Sequence, residues 1–173
     1  MTPCFSPLRD SVMQRISDSY ATAVQSEKPA VRAKIEEKVA DLGEKMMLDP
    51  KTFTQGNVEE LTKAMHTLFE CRRMVKFFYV RQYTLEMAVD AETPGAAEEK
   101  TKFDLWMNPF TYAVDHVSQM IENPEALTQL RKKKHREHMA RLCQTMKAQC
   151  ERVEDSSAMP KLVAVASPQK VSE

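Results

Sequence analysis

Apolar positions recur at three- and four-residue spacing along most of this chain, and turn chemistry closes each run, so the pattern predicts a series of amphipathic helices. Ser6-Pro7 supplies a cap and a first helical proline, after which Leu8, Val12, Ile16, Tyr20 and Ala23 share one face. Ser26 and Pro29 restart the pattern. Val31, Ile35, Val39, Leu42 and Met46 then mark a second helix that ends between Gly43 and Leu48, ahead of Asp49-Pro50. Residues 1–52 therefore read as an N-terminal helical hairpin or arm.

The strongest run follows. Val58, Leu61, Ala64, Met65, Leu68, Cys71, Val75, Phe78 and Leu85 form one stripe, and Asn57 with Glu60 resembles a capping box at its start. This spine helix is expected to run to Val89, about 32 residues or roughly 48 Å. Residues 88–102 carry Asp90, Thr93, Pro94, Gly95 and a Glu-Glu-Lys run without an apolar face, and read as a surface linker. Asn108-Pro109 and Asn123-Pro124 each pair a cap with a first-position proline and predict two further helices. The first carries Phe110, Ala113, Val114, Val117 and Ile121. The second carries Leu127, Leu130, Leu142, Met146 and Val153 around a polar middle. From Glu154 the periodicity stops and serines and prolines gather, so 154–173 reads as an extended tail.

Composition sharpens this picture. Three glycines in 173 residues leave little material for hairpins, and the fold class is all-α: a helical bundle around one long spine helix. Lysine plus arginine (25) equals aspartate plus glutamate (25), so no overall field draws the chain to nucleic acid or an anionic membrane. No apolar run approaches the roughly 20 residues of a membrane span, and no secretory order opens the chain. A soluble cytoplasmic protein is expected. Cys4, Cys71, Cys143 and Cys150 lack metal-ligand or disulfide-framework spacing and are expected as thiols, with Cys71 and Cys143 as small core hydrophobes.

The block from Phe53 to about Cys150 resembles the Ariadne domain, the helical C-terminal domain of RING-between-RING ubiquitin ligases. Cys71-Arg72, Val75, Lys76, Tyr79-Val80, Tyr83 and Leu85 match the family's spine, and Phe103-Asp104, Phe110, Ala113, Asp115, Val117, Ile121 and Glu122 match its following helix. The resemblance implies an Ariadne-like domain over 53–153. It also implies a regulatory binding surface, in the family a contact with the catalytic RING domain, to which Phe103 and Asp104 would correspond. The zinc-binding ligase module and its acceptor cysteine do not occur here, so ligase chemistry of that type is not expected.

Little else suggests chemistry. His135 and His138 stand three apart on the last helix and would be the pair to share a metal with Cys143, but Arg131, Lys132, Lys133, Lys134, Arg136 and Arg141 would repel a cation. His66 and His116 each stand alone, and Gly43, Gly56 and Gly95 form no phosphate loop. No cofactor, metal or catalytic set is expected. The basic run Arg131-Lys132-Lys133-Lys134-His135-Arg136 reads as a solvated helix face, a contact for an acidic protein surface, or, least favoured, an RNA contact. Twelve methionines fill the core or line a partner groove. Trp106 is either a partner anchor or a cover over the protein's own core. In the tail, Leu162, Val163 and Val165 would lie in a groove or add to a sheet edge of a partner.

The sequence therefore predicts a non-enzymatic interaction or structural subunit of a larger intracellular protein assembly, cytoskeletal or axonemal. The alternative is a ubiquitin-pathway regulator acting in trans on a RING-between-RING ligase or a ubiquitin-like protein.

Overall fold

The computed structural model describes residues 7–155, and side chains from Arg9 to Arg152. Six helices and no strand occur among them: α1 (Pro7–Ser26), α2 (Pro29–Met47), α3 (Gln55–Asp90), α4 (Ala96–Glu122), α5 (Ala126–Leu130) and α6 (Lys133–Asp155). The all-α expectation holds. At 36 residues, α3 is about 54 Å long and forms the spine, with α1, α2, α4 and α6 packed along it. The second axis is α4, which meets α2, α3, α5 and α6.

The predicted spine stripe is the core. Leu61, Ala64, Met65, Leu68, Cys71, Val75, Phe78 and Leu85 are buried, and Val58 is half-buried. Against them pack Ile35, Val39, Leu42 and Met46 of α2, Phe110, Ala113, Val114, Val117 and Ile121 of α4, and Met139, Leu142 and Met146 of α6. By contrast, among its described side chains α1 contributes two buried apolar residues, Ile16 and Ala23. Polar ties hold its two ends to α3: Arg9 Nε lies 2.7 Å from Asp90 and Lys76 Nζ lies 2.5 Å from Glu27.

Four boundaries differ from the sequence reading. The spine starts one turn earlier, because Thr54 is its N-cap and accepts Asn57 as the reciprocal partner of a capping box, with Thr54 N–H donating to Asn57 Oδ1 at 3.0 Å. The predicted 88–102 linker shrinks to Ala91–Gly95. Glu92 N–H bonds Val89 C=O and Thr93 N–H bonds Ala88 C=O, both at 3.0 Å, the two bonds of a Schellman stop, with Glu92 (φ 54°) and then Gly95 (φ 80°) in left-handed geometry. Acidic Glu98 and Glu99 then suit the positive end of α4.

Pro109 does not open a helix but sits inside α4. Phe103, Trp106 and Met107 upstream pack on Phe78 and Phe110, and this burial carries α4 through the break in its hydrogen bonds. Finally, the helix predicted after Asn123-Pro124 is two helices with a break at Arg131 and Lys132. No residue from Arg131 to His138 is apolar, so burial does not hold a single straight helix there. Arg136 Nη1 closes the corner by donating to the carbonyls of Leu130 (2.6 Å) and Arg131 (3.1 Å).

Candidate interaction surface

The spine carries more apolar residues than one stripe can bury. In the run Phe77-Phe78-Tyr79-Val80 successive side chains step 100° around the axis, so only Phe78 reaches the core, at 0% exposure. Phe77 (38%), Val80 (43%) and Met87 (44%) recur at three and seven residues on the outer face of α3, and Tyr83 (43%) flanks them. On α1, Tyr20 and Val24 are also exposed. Sequence reasoning missed this surface, yet the signal was present: four consecutive large apolar residues in a helix cannot share one face.

A second apolar surface lies between α2 and α3. Val39, Ala40, Gly43, Met47, Leu48, Val58 and Met65 contribute to a groove of about 710 Å³. Gly43 permits the close approach of the helices here, since a Cβ would stand 3.2 Å from Val58 Cγ1. Of the adjacent methionines, Met46 is in the core, while Met47 and its neighbour Leu48 are 55% and 83% exposed on the groove rim.

The predicted site residues take varied places. Phe103 and Trp106 are half-buried and form an aromatic cluster with Phe78 and Phe110, Trp106 edge-on to Phe78 at 4.8 Å between centroids. Trp106 therefore covers the protein's own core. Asp104 is engaged locally: it accepts from Lys100 Nζ at 2.7 Å and Gln82 Nε2 at 3.2 Å, and Lys100 also reaches Glu86 at 3.1 Å. The hydrogen bond to Asp104, followed by that to Glu86, raises the Lys100 pKa above its ordinary value. These groups line a polar cleft of about 340 Å³ between α1, α3 and α4. A neighbouring cleft contains Tyr79 and Asp115, whose pKa values are both raised chiefly by partial burial.

The basic run is a corner at the start of α6. Arg131, Lys132, Lys133 and Lys134 are exposed, with Arg131 3.5 Å from Asp49 and Lys133 3.6 Å from Glu137. Arg136 is instead turned inward, onto the α5 carbonyls and over the Phe53 ring at 5.5 Å. Leu162, Val163 and Val165 lie outside the described residues. His138 meets the His116 ring edge-on at 5.9 Å, and among the described residues no three His, Cys, Asp or Glu side chains are placed to hold a metal.

Cys71 and Cys150 approach across α3 and α6, their sulfurs 3.5 Å apart. The hydrogen bond between them, then burial, pushes the Cys71 thiol far above its ordinary range, and burial pushes Cys143 up to about 11. Cys71 and Cys143 therefore stay protonated at neutral pH. Among the described residues no helix is long and apolar enough to cross a membrane. No protein-family model, curated protein or solved structure matches this chain.

Proposed function

We propose that this protein is a non-enzymatic interaction subunit of a larger protein assembly, binding through helical faces. The observation that carries this reading is the outward apolar stripe Phe77, Val80 and Met87 on a 36-residue helix whose opposite face already fills the core. Exposed large side chains in a row cost solubility unless a partner covers them, and aromatic and methionine side chains suit such a partner. The basic corner adds a second contact. Its lysines crowd the N-terminus of α6, where the helix dipole is also positive and no acidic residue occupies the first turn, so an acidic protein surface would relieve both. A cytoskeletal or axonemal setting is the finer form of this proposal, resting on the sequence reading alone.

The test is quantitative mass spectrometry of what co-purifies with the tagged native protein, compared between wild type and the double variant Phe77→Ser/Val80→Asp. Stoichiometric recovery of a fixed set of structural proteins from wild type, lost from the variant while its helical circular dichroism is unchanged, is the expected result. Equal recovery from both would overturn the role of the stripe. Recovery of a RING-between-RING ligase or a ubiquitin-like protein would instead favour the regulatory reading, which the Ariadne resemblance alone supports.

A further inference from the structure

Among the described residues Arg72 is the buried cation, 8% exposed on the spine between α1 and α4. Its Nη2 is satisfied, donating to Glu122 Oε1 at 2.7 Å and Ser118 Oγ at 2.9 Å. Its Nη1 is buried with no hydrogen-bond acceptor among the described residues. A guanidinium nitrogen in that state costs free energy until an acceptor arrives, and the missing acceptor is best an anion.

Arg72 lines a small cavity of about 230 Å³ at the corner where α1 turns into α2. Three more cations line it: Arg32 of α2, and Arg73 and Lys76 of α3. Against these four stands one lining carboxylate, Glu27, held by Lys76 at 2.5 Å. Arg32 is positioned by lying over the Phe69 ring at 4.6 Å and has a distant carboxylate, Glu36, at 3.9 Å. Arg73 is exposed at the rim. Guanidinium groups present flat, paired donors that match tetrahedral oxyanions, and three arginines contribute to the lining of this site, which is too small for a large ligand.

We propose that this corner binds a phosphate dianion, either free or as the phosphoryl group of a phosphomonoester, with Arg72, Arg32 and Arg73 as donors and Glu27 as the competing internal carboxylate. The inference goes beyond the interaction-subunit reading and stands or falls separately. Binding would tie α1, α2 and α3 together at one point, since all three contribute lining residues.

The experiment is isothermal titration of the full chain with inorganic phosphate at constant ionic strength, with acetate as the control anion. Saturable one-site binding of phosphate is expected. It should weaken about tenfold or more in Arg32→Gln/Arg73→Gln, two exposed positions that leave Arg72 in place, and tighten in Glu27→Gln. Lys133→Gln, a cation remote from the corner, should leave it unchanged. Competition by phenyl phosphate at equal or higher affinity would assign the site to a phosphomonoester, and its failure to compete would assign it to the free ion. The proposal is overturned by absence of saturable phosphate binding, by acetate binding as tightly, or by undiminished binding in a folded Arg32→Gln/Arg73→Gln protein.

Discussion

At the scale of single residues, the clearest local conflict is Glu92. It occupies the left-handed position of the stop between α3 and α4 (φ 54°), where a Cβ costs about 1 kcal/mol and glycine is the usual occupant. Glu92→Gly should therefore raise stability by about 0.5–1 kcal/mol, less than the full steric cost because glycine also frees the unfolded chain. A urea midpoint that falls in this variant would show that Glu92 contributes something the backbone does not reveal. The same residue explains why this turn was only half legible. Pro94 and Gly95 announce a turn, but nothing in a glutamate announces left-handed geometry, so the sequence reading spread the turn over fifteen residues instead of five. Phe78 and Arg72 divide in the same way. The apolar period places Phe78 in the core directly, whereas the burial of Arg72 depends on Ser118 and Glu122, some 46 and 50 residues away, and no local pattern reports that.

At the scale of helices, apolar period identified every long element, and the errors arose where local signals competed with packing. Asn108-Pro109 has the chemistry of a helix start, yet Phe103 and Trp106 upstream bury against Phe78 and bind the preceding turns into the same helix. The proline remains a cost. It removes a donor to the carbonyl of Leu105 and crowds that turn, while Thr111 Oγ1 bonds the nearby carbonyls of Met107 (3.2 Å) and Asn108 (3.1 Å). Pro109→Ala, at an exposed position, should stabilise by about 1–3 kcal/mol, below the full cost of an interior proline to the extent that α4 has adjusted its path. Thermal unfolding followed at 222 nm checks this, and an unchanged midpoint would mean that α4 is already shaped so that alanine gains nothing. The break at Arg131 and Lys132 has the converse origin, a stretch with no apolar residue to hold a straight helix, and its cap, Arg136, was legible only as one more member of a charge run.

Across the whole molecule, α3 and α6 are joined at their contact by the Cys71 and Cys150 thiols, 79 positions apart in sequence and 3.5 Å apart at sulfur. Treatment with diamide should remove two protons and two electrons from the pair, reduce the reagent to its hydrazine, and leave one intramolecular disulfide, seen as a 2 Da mass loss. Closing so long a loop should stabilise by about 3–4 kcal/mol if the helices accept the bond, and Cys150→Ser should abolish the mass change. The reaction should be slow at neutral pH, because the thiolate is the attacking species and Cys71 holds its proton tightly. The same tight protonation sets how stability varies with pH. In the unfolded chain these thiols ionise near 9.0, whereas in the folded protein burial holds Cys143 to about 11 and Cys71 higher still. Between those values the unfolded state has released protons that the folded state retains, so stability that is fully present below pH 9 is lost as pH rises toward 11. For Cys143, partly open to solvent, the loss is about 1–2 kcal/mol after screening. Urea denaturation of wild type and Cys143→Ala across this window isolates the effect from the titration of lysines and tyrosines common to both. The stability difference between the two should shift by that amount in favour of the alanine variant as pH rises, and parallel curves would mean that Cys143 ionises as readily in the folded protein as in the unfolded one.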